Sequence, residues 1–298
     1  MHFFTNTEKE RERIEKAIQT HGYGAEHNYD WFEYSKEKGE ENIYVSWDDG
    51  TGLFTREWDG VCSIMTEPIA PKEMATPKLL EYITRCFQQK NIKKVTVELE
   101  TEIRKDLIRA LSPSIRACQV NYSLTWPIMN MTMFNPELPG KHFKHIRNAK
   151  HKLEKEHAVS VENAKTTDKN LLHQIIETWK KKRGGNDRAW FQRYHNMIDA
   201  EFRGMEGART FVIDGTPRGI NAGWEIPNSS SYYGAVGIHD YSHPDLGLLL
   251  YLEDLEWTKR EGYEYMDTGG GEDSLTVFKN QFYPESSYKT HVFSLMRA

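Results

Sequence analysis

The 298-residue sequence is poor in cysteine: Cys62, Cys86 and Cys118 stand far apart and form no CxxC pair. That excludes a disulfide framework and a thiolate zinc motif, and it leads us to expect a reducing, cytoplasmic setting. None of the three sits in a motif that would make it a nucleophile. No apolar run approaches the roughly 18 residues needed to span a bilayer. The opening MHFFTNTEKERERIEK also lacks the apolar stretch of a signal peptide. Positive charge is not in excess either. The net charge of −5 excludes a protein that coats nucleic acid through its overall field and leaves only local contacts with polyanions.

What is present is ordinary for a folded domain pair. Hydrophobic residues make up 38% and charged residues 28%, and aromatics reach 12%, too many for a disordered chain. The length suits one large or two medium domains.

Asn6 or Thr7 caps a predicted helix with Ile14, Ala17 and Ile18 on one face. A loop rich in Gly, Tyr and Glu follows. The runs Ile43–Trp47, Gly52–Trp58 and Val61–Met65 alternate, with Asp-Gly turn dipeptides between them, and predict an antiparallel meander. Lys78–Gln89 reads as a helix and Lys94–Glu98 as a strand. A second pass has helices over Leu171–Arg183 and Phe191–Phe202. Strands are expected at Thr210–Asp214, Gly219–Glu225 and Ser231–Ile238, then a helix over Gly247–Glu261 and a strand at Tyr263–Asp267. Leu79-Leu80 with Lys94–Glu98 overlays Leu249-Leu250 with Glu264–Thr268 at a constant offset. We read this as an internal duplication. The join is Phe134–His157, where turn residues precede a basic helix over Lys141–His157. The expected division is therefore residues 1–134, a linking basic helix at 135–157, and residues 158–298 carrying the site.

Two stretches, LPGKHFKHIRNAKHKLEKEH (Leu138–His157) and YMDTGGGEDSLTVFKNQFYP (Tyr265–Pro284), carry a resemblance. With the duplication, they resemble the C-terminal synthase domain of phosphatidylglycerol lysyltransferases, whose fold is similar to tandem GNAT proteins and Fem-type ligases. The resemblance implies an α/β (α+β) fold of two GNAT-like halves, each a mixed, mainly antiparallel sheet with flanking helices. It also implies acyl or aminoacyl transfer from an activated donor, an aminoacyl-tRNA or a CoA thioester, with no tightly bound cofactor. Lysyltransferases place a membrane-embedded region before this domain. Its absence here favours a soluble amine or hydroxyl acceptor over a phospholipid. An acetyl-CoA-dependent N-acetyltransferase and a non-catalytic module that binds RNA or protein remain alternatives.

Several residues suit such chemistry. Gly269, Gly270 and Gly271 follow Asp267 at a strand end, where backbone can approach a ligand closely. Lys279, with Ser274 and Phe278 on the next helix, offers a positive charge to the donor. Glu225 is a candidate base, and Trp224 and Tyr233 candidate pocket walls; Glu225, Tyr233 and Lys279 form the expected catalytic set. Lys141, Lys144, Arg147 and Asn148 lie on the basic helix and can grip phosphates; the alternative is a solvated face. Of the glycine-rich pyrophosphate turn found in CoA-binding relatives only Gly247 is left, flanked by aspartates. His239, Asp240, His243 and Asp245 match no established metal spacing, and no metal is expected.

Overall fold

A computed structural model describes residues 1–183 and 190–298. The first half begins with β1 (His2–Phe4), α1 (Arg11–His21) and α2 (Tyr29–Tyr34). The meander β2 (Glu41–Ser46), β3 (Gly52–Trp58) and β4 (Val61–Ile64) follows, then α3 (Ala75–Gln88), β5 (Lys94–Glu100), α4 (Thr101–Ala110) and the long β6 (Ile115–Asn130). The second half starts with α5 (Lys144–Glu156), β7 (Val159–Asn163), α6 (Lys169–Arg183) and α7 (Phe191–Asp199). It continues through β8 (Arg209–Ile213), β9 (Thr216–Glu225), β10 (Ser231–His239), α8 (Leu246–Arg260), β11 (Tyr265–Asp267) and α9 (Asp273–Asn280) to β12 (Ser286–Arg297).

The predicted meander, the helix–strand pairs and the basic helix are all present within a few residues of their expected limits. Two features differ from the sequence reading. The loop expected after α1 contains α2, capped by Asn28, and it buries Trp31, Phe32 and Tyr34. The two halves also do not keep separate sheets. All twelve strands join in the order β1-β2-β3-β4-β5-β12-β6-β11-β10-β9-β8-β7.

The duplication explains this order. In each half four antiparallel strands lead to a parallel pair, β4 with β5 and β10 with β11. A helix makes each crossover, α3 in one half and α8 in the other. The fold is that of a tandem GNAT protein in which the halves trade their last strands. β12 pairs with β5 of the first half, and β6 pairs with β11 of the second. β6 and β12 run antiparallel down the centre, with Tyr288 opposite Trp126 and Thr290 opposite Leu124. The chain closes over itself at this seam, so each half needs a strand from the other to complete its sheet.

The two faces of the sheet have separate cores. Met129, Tyr232 and Met266 pack with Ile146 of α5 and with Leu252 and Leu255 of α8. Trp126, Trp224 and Tyr233 face the other way, onto Trp31, Ile176 and Met197 from α2, α6 and α7. Such alternation is the consequence of the two-residue period of a strand. Because the central strands are covered on both faces, their polar side chains end up inside the protein.

Candidate active site

A cavity of about 300 Å³ opens over the seam, on the face that carries α1, α2, α6 and α7. Its floor is β5, β6, β11 and β12, and its rim is the segment Tyr23–His27. Five carboxylates line it, Glu26, Glu67, Glu98, Glu100 and Asp267, against one lysine, Lys72; Tyr23, Trp126 and Tyr288 supply aromatic wall. Both halves contribute. A site confined to the second half, with the first as structural partner, was the expectation. Strand exchange instead brings Glu98 and Glu100 of β5 beside Thr290 and Tyr288 of β12.

Three of these carboxyls are held well above the usual range. Burial raises Glu67 to about 7, with the neighbouring Glu100 adding to it, although Tyr23 Oη donates to Glu67 at 2.9 Å. Burial raises Glu98 to about 7, with Glu26 adding to the effect; the Thr290 hydroxyl donates to it. Burial raises Asp267 to about 6. Three contacts restrain that rise: the Tyr288 hydroxyl at 2.7 Å, the Gly269 N–H at 2.9 Å, and the charge of Lys279. Two ordinary physical forces, desolvation and like-charge repulsion, thus keep these acids near their ionisation points at neutral pH. His27 is not part of that chemistry. Its Nδ1 accepts the N–H groups of Tyr23 and Gly24, and its Nε2–H faces the Glu67 carbonyl at 2.9 Å. Burial pushes it down to about 4, so it stays neutral and pins the rim.

Beside the cavity, β10 and β11 part. They pair only as far as Tyr233 and Asp267, after which β10 bulges between Gly234 and Val236 and the other strand turns at Gly269. Gly269 has φ +81°, where a side chain would be strained. Gly270 is constrained by contact, since a Cβ there would lie 2.6 Å from the Trp126 indole. Gly271 pairs with Thr125. Lys279 is buried, with Nζ donating to the carbonyls of Thr268 and, at 2.7 Å, Gly269. Burial lowers it to about 8, opposed by Asp267. The ammonium therefore sits in the gap between the parting strands.

The other expected residues separate. Trp224 and Tyr233 are in contact, centroids 4.9 Å apart, in the core beside the cavity. Burial holds the Tyr233 phenol well above its ordinary value, so it stays protonated. Glu225 corrects the sequence reading. Adjacent strand residues point to opposite faces, and Glu225, opposite Tyr232, emerges exposed on the α8 face beside Glu206. It cannot share a pocket with Trp224. Phe278 packs on Tyr251 as core rather than lining a donor pocket, and Ser274 faces solvent.

The basic helix α5 lies across the sheet from the cavity. Lys141, Lys144 and Asn148 are exposed there, but Arg147 is folded back onto the carbonyls of Leu138 and Gly140. At the start of α8, Asp245 takes φ +59° and makes no side-chain cap, and the His239 ring occupies the space beside Gly247. Asp240 pairs with Arg218 at 3.0 Å. Among the described residues no three His, Cys, Asp or Glu side chains form a metal cage, and no helix is long and apolar enough to cross a membrane.

The sequence-based expectation missed Glu67, Glu98, Glu100, Tyr23, Trp126 and Tyr288. Glu98 and Glu100 alternate with Val95, Val97 and Leu99, a pattern that reads as a solvated strand face until β12 is known to lie beside it.

Comparison with known proteins agrees with this fold. Residues 140–285 match the acetyltransferase (GNAT) domain family. Among solved structures, the C-terminal domain of a proposed lysylphosphatidylglycerol synthetase from Agrobacterium fabrum superposes with TM-score 0.69 at 10% identity, covering 97% of this chain and 92% of that one. FemX gives 0.65 at 14% identity, covering 99% and 97%. A tandem GNAT protein of the clavulanic acid biosynthesis pathway gives 0.56 at 11%, covering 99% and 98%. No curated protein matches the sequence.

Proposed function

Starting from a chain whose residues 140–285 match the GNAT acetyltransferase domain, we propose an acyl- or aminoacyltransferase that brings donor and acceptor together from opposite faces of its sheet. The donor ester or thioester approaches on the α5 and α8 side, with Lys141 and Lys144 near its phosphates. Its carbonyl enters the gap between β10 and β11 at Gly269. The acceptor amine or hydroxyl waits in the acidic cavity. The observation that supports this reading is the position of Asp267: a buried carboxylate that opens to the cavity and adjoins the gap.

The chemistry needs no covalent enzyme intermediate. The acceptor nitrogen or oxygen attacks the donor carbonyl and its proton passes to Asp267, which is ionised above about pH 6. Lys279 places positive charge beside the developing oxyanion while fixing the turn through two carbonyls. Collapse expels the donor's thiol or ribose hydroxyl, which takes up the proton. The excess of carboxylates favours a cationic acceptor over an anionic one. Glu225, Phe278 and Ser274 have no part in these steps.

The nature of the donor is the open choice. The His239 ring against Gly247 and the aspartates before α8 leave little room for a pyrophosphate, which favours an aminoacyl-tRNA. The match to an acetyltransferase family favours acetyl-CoA. Thermal shift with acetyl-CoA, alongside filter binding of charged and uncharged tRNA, separates them. Stabilisation by acetyl-CoA selects the acetyltransferase, and preferential binding of charged tRNA selects the aminoacyltransferase. Binding of both tRNA forms alike, with no transfer, indicates a passive RNA-binding module and defeats the proposal.

A further inference from the structure

On the outer side of the second half, α6 packs against α7 through two histidines. The rings of His173 and His195 meet edge to edge, their planes 27° apart and their centroids 5.0 Å apart. Their Nδ1 atoms face each other at 2.8 Å. The far nitrogen of each ring meets a carboxylate: His173 Nε2 lies 3.0 Å from Asp199 and His195 Nε2 lies 3.0 Å from Glu177. An ionised carboxylate only accepts hydrogen bonds, so each Nε2 must carry the ring's proton. Both Nδ1 atoms are then lone-pair atoms. Two bare lone pairs repel at this distance, so the contact needs a cation: a proton shared at 2.8 Å, or a metal ion on which both lone pairs converge once the rings part.

We infer that His173 and His195 bind a divalent transition-metal ion through their Nδ1 atoms, with Asp199 and Glu177 as the carboxylates that orient the rings. Nitrogen ligands at about 2.0–2.1 Å from a tetrahedral ion lie about 3.3–3.4 Å apart, so the rings need part by only about half an ångström. A carboxylate on the far nitrogen is the usual partner of a metal-bound histidine. Imidazole pairs favour copper, nickel and zinc over magnesium or calcium. No third side chain converges among the described residues, so water completes the shell. The imidazoles, 26% and 18% exposed, leave that side open. Any proton held between the two Nδ1 atoms leaves to solvent as the two nitrogen–metal bonds form.

The site is separate from the cavity but connected to it. α7 also carries Arg193, whose guanidinium stacks over Trp31 and lies 3.8 Å from Glu26 on the cavity wall. An ion tying α7 to α6 therefore steadies one wall of the candidate active site.

The test is calorimetric titration of tag-free, chelator-stripped protein with nickel and with zinc chloride. One ion per chain binding in the micromolar range is the expected result. His195→Gln and His173→Gln each weaken binding at least tenfold, and Glu177→Gln weakens it about tenfold through loss of ring orientation. If either histidine variant melts early, the imidazole NMR signals of the unaltered protein give the same answer: nickel shifts or broadens those of His173 and His195 first. The inference fails if no saturable binding is seen up to about 1 mM, an affinity of only about 4 kcal/mol. In that case a shared proton is what joins the rings. It fails equally if both histidine variants bind as before.

Discussion

Glu98 and Asp267 face the same way in the two halves of the sheet, one residue off the sequence overlay that set Glu98 against Thr268: Val97 packs on the α3 side and Met266 on the α8 side. Glu98 follows Val97, the parallel partner of Ile64, and Asp267 follows Met266, the parallel partner of Tyr232. Both face the cavity, Asp267 buried and Glu98 half-buried, and each accepts a hydrogen bond from β12, Glu98 from Thr290 and Asp267 from Tyr288. Duplication followed by strand exchange has placed two carboxyls in one cavity. Only Asp267 also adjoins a glycine turn and a buried ammonium, which is why the transfer step is assigned to its side.

The pH dependence of transfer follows from that side. Asp267 must be ionised and Lys279 protonated, so kcat/KM should rise through about pH 6 and fall through about pH 8. Asp267→Asn should remove the acid limb and leave little rate. A profile of Asp267→Asn with its acid limb unmoved assigns that limb to another group.

Stability should show the opposite slope. The folded protein holds protons on Glu67 and Glu98 up to about pH 7, whereas the unfolded chain releases them near 4.5. The folded state then binds more protons between those values, so this contribution is present in full below about 4.5 and is lost as pH rises through about 7. Glu98→Gln, which stays neutral, should stabilise the protein at pH 8 by on the order of 1 kcal/mol and flatten the slope. Denaturant melts at about pH 5 and about pH 8 check it. Equal effects of the substitution at both pH values would contradict it.

The glycine turn yields two separable variants. Gly270→Ala drives a methyl into the Trp126 ring and should cost about 1–3 kcal/mol, because the indole is buried and hydrogen-bonded to Thr290. Gly269→Ala meets open space within 3.5 Å but a φ of +81° and should cost about 1 kcal/mol. Both should lower transfer more than they lower the melting temperature, since the turn sets the gap between β10 and β11.

At and just before the start of α5, Lys141→Gln with Lys144→Gln should leave stability within about 0.5 kcal/mol and raise the KM for a polyanionic donor, with a shallower salt dependence. Arg147→Gln should instead destabilise by about 1 kcal/mol, because its guanidinium satisfies the Leu138 and Gly140 carbonyls. Equal behaviour of all three positions in both assays would contradict this division.

Much of the fold was legible because it is written in local patterns. The meander at β2 to β4, the crossover helices α3 and α8, and the repeat that relates them follow from alternation, helical stripes and Asp-Gly turns. The glycine turn was legible from composition, and Lys279 from its place after it. The seam was not. β6 and β12 pair across more than 150 residues, and nothing local in Ile115–Asn130 or Ser286–Arg297 names the partner. Without the seam, Glu98 looks solvated and Glu225, beside an aromatic, looks buried. The structure reverses both, because the Tyr23–His27 segment closes in the Glu98 side of β5 while Glu225 at the end of β9 stays exposed. The loop before α2 misled for a similar reason: Trp31 and Tyr34 become core only when α7 is packed on them.

The central claim is that Asp267, not Glu225, serves the transfer step. Single-turnover transfer from the donor selected by the binding assays, measured for Asp267→Asn and Glu225→Gln beside the unaltered protein, tests it most directly. The account predicts that Asp267→Asn loses at least about a hundredfold, the scale of general-base catalysis, with its melting temperature kept, while Glu225→Gln turns over normally. A Glu225→Gln variant that is inactive, or an Asp267→Asn variant that retains its rate, would contradict it.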